Sequence, residues 1–311
     1  MLSNDVIKRF CKDYSLPIQI YNPDFIDYYV ELYDRIYDTK AKYNLFKDTI
    51  DKFGNENEFL AYGNKLTDSV ISYIKQTDGY NELCSCNISE VYPVLKNVEG
   101  VNFVKTVSIY NPNNSGKHFI SYDMRKANYQ ALYIFNSDIV ANKPNYESFI
   151  SKFTDNEYFK NSKHIRQATF GMLNHERIAH MERHLMQKVL YFLFDIGYTS
   201  DDIVTFTTDE IIVQDSKPDK HSESTCTYLS NLIKEYTSNL DIKVDFFKLN
   251  YIGHDTYVKE FTYKDPVFKG GSSVYMPQIY KHYFSMPLTD KDLCFLYEKQ
   301  IAKFLNPLEW D

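Results

Sequence analysis

The segment TFTTDEIIV, residues 205–213, sets Asp209 and Glu210 side by side inside a β-branched, apolar run. Val204 and Phe206 lead in, and Ile211, Ile212 and Val213 lead out, so both flanks read as strands. The polar centre, Thr207-Thr208-Asp209-Glu210, then reads as the tip of a tight hairpin. Carboxylates placed there are held by a rigid scaffold and stay open on one side. A solvated turn is the plain alternative, so the rest of the chain has to decide between them.

With 311 residues, 43% of them hydrophobic, the chain can bury one large core or two modest ones. No apolar run approaches the roughly 18–20 residues of a membrane span, and the start has no basic-then-apolar signal order. These features predict an intracellular, cytoplasmic protein with no membrane partner. Five scattered cysteines, with Cys84-Ser-Cys86 lacking the spacing of a zinc knuckle, read as reduced and structural. The abundance of Lys, Asn, Tyr and Ile suits an AT-rich genome such as that of a virus or phage, in which case the compartment is the host cytoplasm. A net charge of −7 argues against a protein coated in nucleic acid. Residues 160–188 go the other way, with six Lys or Arg, two acids and four of the eight histidines (His164, His175, His180, His184 in this region). That local basicity suits an anionic ligand, or else a solvated helix face.

Apolar spacing predicts helices over 24–52 and about 56–76, separated by Gly54-Asn55 and forming an antiparallel pair, then an irregular stretch over 79–100. Strands are expected in NFVKTVSIY (102–110) and KHFISYD (117–123), around the turn cluster NPNNSGK. A helix follows at 124–135, short helices at 146–161, and one long helix from about Lys163 to Asp195. Beyond the carboxylate hairpin come a helix at 224–238, strands near 242–252 and 256–263, a turn at Lys269-Gly270-Gly271-Ser272 and a closing helix at 289–305. No G-x4-G-K-[ST] loop is present, which excludes an ATPase of that kind.

Three segments carry the chemistry. In FISYDMRKAN, Asp123 ends a strand as the chain turns into a helix, where a carboxylate faces the mouth of a sheet; a helix N-cap is the plain reading. In KHIRQATFGMLN, Arg166, Phe170 and Asn174 are spaced by four and share a helix face, fit for a phosphate, a base and a sugar or template, or else for core packing. The third is the Asp209-Glu210 hairpin. Two carboxylates on separate β-elements suit a two-metal site, since paired Mg²⁺ ions need rigid oxygen ligands and clamp the attacking and leaving oxygens of phosphoryl transfer.

In this order the segments resemble motifs A, B and C of the family A DNA polymerases: FISYDMRKANYQAL as the metal-binding strand, RQATFGMLN as the basic helix, and TTDEIIV as the H-D-E hairpin. The strands at 103–122 resemble the hairpin before motif A. The resemblance covers about residues 100–215. It implies an α+β fold, a palm with an antiparallel sheet, and this division: a helical thumb-like region at 1–100, palm at 101–140 and 198–265, a short fingers-like segment at 141–197, and a C-terminal extension at 266–311.

The resemblance also implies a nucleotidyltransferase, with Asp123 and Asp209 binding Mg²⁺ or Mn²⁺ and the Met124 carbonyl assisting. Glu210 would support the primer terminus or the metal site. Arg166, with Lys163 beside it, would take the triphosphate, and Phe170 would pack near the incoming base. Partners would be a nucleoside triphosphate and a nucleic-acid primer or template, with room left for an unspecified protein partner. The sequence departs from the family at Asn128, where a Glu discriminates against ribose, at Asn174 in place of Tyr, and at Thr208 in place of His. The alternative function is an inactive palm serving as an accessory or binding module in a replication or virus–host complex.

Overall fold

The computed structural model describes residues 2–95, 97–98, 101–102, 108–216 and 222–310. Helices come first: α1 (Asn4–Asp13), α2 (Pro23–Tyr37), α3 (Thr39–Phe53), α4 (Glu56–Lys75), α5 (Asp78–Ser85) and α6 (Ile88–Val91). Two short strands pair antiparallel, β1 (Asn97–Val98) and β2 (Val101–Asn102). Then follow β3 (His118–Met124), α7 (Ala127–Phe135), α8 (Tyr146–Ile150), α9 (Glu157–Lys160), α10 (Lys163–Gly171) and α11 (His175–Asp195). The chain continues through β4 (Ile203–Phe206), β5 (Glu210–Gln214), α12 (Glu223–Tyr236), β6 (Ile242–Tyr251), β7 (Thr256–Glu260) and β8 (Val267–Gly270). It closes with α13 (Met276–Tyr283), β9 (Cys294–Tyr297) and β10 (Gln300–Lys303). The fold is α+β, and no helix among the described residues is long and apolar enough to cross a membrane.

Six strands form one antiparallel sheet in the order β4-β5-β3-β6-β7-β8. Because side chains alternate along a strand, register fixes its two faces. One face presents Ile120, Tyr122 and Met124, Ile211 and Val213, and Val244 and Phe246 to the main core beneath α7, α11 and α12. The other carries Phe119, Ile212, Phe247, Leu249 and Tyr257 in a smaller apolar cluster with Ile109. Ser121, Asp123 and Glu210 share that second face.

The aromatic content, 28 Tyr and 22 Phe, is spent on joining layers. Phe46 of α3 meets Phe59 of α4 at 5.5 Å, and Phe59 meets Tyr158 of α9 at 5.4 Å. Tyr33 of α2 crosses edge-on to Tyr280 of α13 at 5.2 Å. One apolar cluster therefore runs from Val6 to Tyr280. A fully buried carboxylate, Asp13, ties the same layers: the Arg9 guanidinium donates to it at 3.0 Å, Tyr158 Oη at 2.5 Å, and Ser162, the cap of α10, also donates. At the other end Asp292 is buried and accepts from Lys281 Nζ at 2.7 Å, from Thr289 Oγ1 at 2.8 Å and from Tyr28, pinning the C-terminal segment to α2.

Several expected elements need correction. The stripe over 24–52 is two helices, because Asp38 takes a left-handed conformation (φ 48°) and its neighbour Asp34 caps the next turn through Lys40 N. Residues 78–85 of the stretch read as irregular are helical, capped by Thr77 accepting from Tyr80 N. The long helix breaks at 172–174: Leu173 folds inward and Asn174 starts a new helix as its cap. No helix spans 289–305, where β9 and β10 make a hairpin about Glu298 and Lys299, both with positive φ. Of the expected strand over 102–110, residues 103–107 lie outside the described ones. The Gly270-Gly271 turn is present with φ of 70° and 68°, and a Cβ on Gly270 would meet the Asp255 carbonyl at 2.3 Å.

Removing the Asp13 carboxylate leaves the buried Arg9 guanidinium without its counter-charge. Asp13→Ala should therefore cost about 3–5 kcal/mol in urea unfolding. A loss within about 1 kcal/mol would show that the node contributes little beyond packing.

Candidate active site on the carboxylate face

The two segments that the sequence reading joins are neighbours in the sheet. Asp123 on β3 is the register partner of Glu210 on β5, and on its other side of Lys243 on β6. Partners across a sheet share a face, so Glu210, Asp123 and Lys243 form one row. The hairpin tip sits directly alongside: Met124 N donates to the Asp209 carbonyl at 2.8 Å. Within the tip, Thr207 N donates to the Glu210 carbonyl at 2.8 Å and Glu210 N to Thr207 Oγ1 at 3.0 Å. Thr207 Oγ1 also donates to Asp209 Oδ1 at 3.2 Å, leaving an otherwise exposed carboxylate. The TTDE sequence is thus a self-bonded turn that fixes two acids at the mouth of the sheet.

Asp123 is not a helix cap. The chain runs on through Met124, Arg125 and Lys126, which takes φ 50°, and α7 begins only at Ala127. The Asp123 carboxylate accepts no hydrogen bond and makes no ion pair among the described residues. Burial pushes its pKa up to about 6, with Glu210 and then Asp209 adding to the rise while Lys243 and Lys259 oppose it. Its neighbours are matched. Glu210 Oε1 accepts from Ser121 Oγ at 2.5 Å and from the buried Lys259 Nζ at 3.4 Å. Asp245 pairs with Lys243 at 2.5 Å and with Lys264, and the two ammonium groups outweigh its burial and hold it low.

The basic helix contributes differently from what the spacing predicts. Arg166 lies over the Tyr146 ring at 5.7 Å and is half-buried. The Lys163 amine is pushed down by desolvation and by Arg166 and Lys269, and pulled up by Asp123, which puts it in electrostatic reach of the carboxylates. Phe170 needs correction: it is 2% exposed, packed between Tyr129 and Tyr146 at 6.2 and 6.1 Å, and has no face left for a base. Asn174 also leaves the expected stripe, because the helix ends at Gly171; its side chain caps α11 through Arg177 N at 3.4 Å.

Asn128 on α7 donates through Nδ2 to Glu182 Oε1 on α11 at 2.5 Å. Glu182 is a site-facing residue that sequence reasoning missed. It is 5% exposed, and burial, with Asp209 adding, raises its pKa to about 8. The available signal was periodicity: Ile178, Met181, Leu185 and Met186 are buried at helical spacing, and Glu182 occupies the same stripe.

Oxygen donors of this kind suit Mg²⁺ or Mn²⁺. Asp123, Asp209 and main-chain carbonyls are the donors at hand, and the unmatched Asp123 carboxylate is the observation that favours a cation there. Among the described residues there is no group of three or more His, Cys, Asp or Glu able to hold a metal, so water would have to complete the shell. All five cysteines are free, and none belongs to this face. No protein-family model, curated protein or solved structure matches this chain.

Two outcomes follow. Phe170→Ala should cost about 3–5 kcal/mol of stability as a core truncation; a folded variant with native stability and weakened nucleotide binding would return Phe170 to the site. Glu182 holds its proton more tightly folded than unfolded, so its contribution is complete below about pH 4.5 and is lost as pH rises towards about 8. Glu182→Gln should match wild type in melting temperature near the lower limit and exceed it above the upper one. Parallel melting curves across that window would assign the carboxyl an ordinary pKa.

Proposed function

We propose that this protein is a metal-dependent nucleotidyltransferase, similar in its site to a minimal family A DNA polymerase, acting from a nucleoside triphosphate on a nucleic-acid 3′ end. The reading is supported above all by Asp123: an unmatched carboxylate paired in register with Glu210 and bonded through the adjoining backbone to the Asp209 turn. Asp123 and Asp209 would hold Mg²⁺ or Mn²⁺, with the Met124 carbonyl nearby. Bound there, the ion would stabilise charge on the oxygens of an in-line phosphoryl transfer. Arg166 and Lys163 would bind the triphosphate by charge. Glu210, held by Ser121 and Lys259, would keep the Asp123 side of the site rigid. The palm-like sheet, the thumb-like and fingers-like helical regions and a cytoplasmic setting belong to the same proposal.

A second reading is an inactive palm acting as an accessory or binding module. It draws support from Glu210, whose charge is already met by Lys259, and from the thin donor set. Asp209→Asn separates the two. Under the enzyme reading it abolishes nucleotide incorporation, leaves the fold intact, raises the metal-free melting temperature by relieving repulsion, and shrinks the stabilisation given by added Mg²⁺ or Mn²⁺. Wild-type protein with neither incorporation nor metal-dependent melting would leave the binding-module reading. Arg166→Ala should weaken triphosphate binding by about 1.5–3 kcal/mol in a titration. Unchanged affinity would remove Arg166 from the site.

A further inference from the structure

Lys269 is a cation of this face that motif order does not reach. It lies on the edge strand β8 in register with Tyr257, whose ring belongs to the apolar cluster on the carboxylate face, so its side chain leaves the sheet on that face. The turn after β8 is tied to the chain leaving α1, where Gln19 bonds Ser273. The start of α10 is tied to the end of α1, where Ser162 donates to Asp13. These two anchors bring Lys269 towards the first turn of α10, which carries Lys163 and Arg166. The crowding registers on Lys163: burial, then Arg166 and Lys269, push its amine down, while Asp123 pulls it up.

The acids on this side of the molecule are mostly answered by other cations. Glu210 meets the buried Lys259 Nζ at 3.4 Å, Asp245 meets Lys243 and Lys264, and Glu147 meets Lys126. Among the described residues Lys163, Arg166 and Lys269 make no ion pair, and Arg166 rests on the Tyr146 ring instead. Asp123 makes none either, although it is in electrostatic reach of Lys163. Holding three like charges together costs free energy that direct pairing with the nearby acid would lower. A ligand carrying both signs answers both groups at once, with a divalent cation towards Asp123 and phosphate oxygens towards the cations.

We propose that Lys269 completes, with Lys163 and Arg166, a binding site for the phosphate chain of a metal-chelated polyphosphate. The proposal rests on the nucleoside triphosphate reading of the same face and adds to it a residue from the far edge of the sheet. Lys259 acts behind this site: by meeting Glu210 it removes a negative charge that would repel the phosphates. Lys269 approaches from β8 and the other two cations from α10, so the phosphate chain is gripped from the sheet and from the helix together.

Titration calorimetry of the full-length protein with inorganic tripolyphosphate and Mg²⁺ tests this without nucleic acid. Wild type should bind, and Lys269→Gln should weaken binding roughly tenfold, the loss of one charge-assisted contact. Lys269→Arg, which keeps the charge, should restore most of it. Lys234→Gln removes the same charge from α12, behind the sheet, and should leave affinity unchanged. No binding by wild type, wild-type affinity in Lys269→Gln, or an equal loss in Lys234→Gln each overturns the proposal. Incorporation assays in parallel separate it from the reading on which it rests. Tripolyphosphate binding that depends on Lys269 in a protein that incorporates no nucleotide supports the site and removes the polymerase-like activity. Incorporation by wild type, with tripolyphosphate affinity unchanged in Lys269→Gln, removes Lys269 and leaves the activity.

Discussion

The register of β3 is the constraint on which the site depends. A strand at the centre of an antiparallel sheet has no freedom to slip by one residue, since the slip would exchange Tyr122 and Met124, buried against the helices, with Ser121 and Asp123. Packing of the hydrophobic face thus decides which carboxylates meet on the other. Asp123 is set between Glu210 and Lys243 because Ile120 and Tyr122 have to be inside. The repulsion between Asp123, Glu210 and Asp209 is a cost carried by that apolar face.

The electrostatics of the face then divide its acids into two kinds. Glu210 and Asp245 are answered by hydroxyl and ammonium groups within hydrogen-bond reach. Asp123 and Asp209 are answered only at longer range, and Asp209 by one threonine hydroxyl. A sheet that needed only to be stable would pair all four. Leaving one half-buried and unpaired is the kind of local inconsistency that marks functional sites, because the fold elsewhere supplies the stability to tolerate it.

Much of this was legible in the sequence where a short-range rule operates. The TTDE hairpin, the strand into Asp123, the helix at 223–236 and the Gly270-Gly271 turn follow from alternation, capping and backbone freedom within a few residues. The failures share a different cause. Apolar spacing continues through Asp38 and through 172–174, so periodicity alone reads one helix where a left-handed residue and an asparagine cap make two. The β9–β10 turn uses Glu298-Lys299, a pair without the Asn-Gly signal of such hairpins, and its hydrophobics at 293, 296 and 304 imitate a helical face. Phe170 and Asn174 looked functional because spacing places residues on a face without saying what covers that face.

Glu182 shows how far the physical argument extends beyond motif order. It lies outside all three motif segments, yet it is buried beside the hairpin tip and bonded by Asn128. The Glu182 carboxyl reaches across from α11 to meet the Asn128 amide of α7. In that position the acid is cheaper to keep protonated than ionised, since burial disfavours the charged form and the Asp209 charge adds to the cost. The α7–α11 contact is therefore held by a neutral hydrogen bond below about pH 8, and a cation arriving at Asp209 would favour the ionised form. Helix packing and the charge of the sheet mouth are coupled through that single side chain.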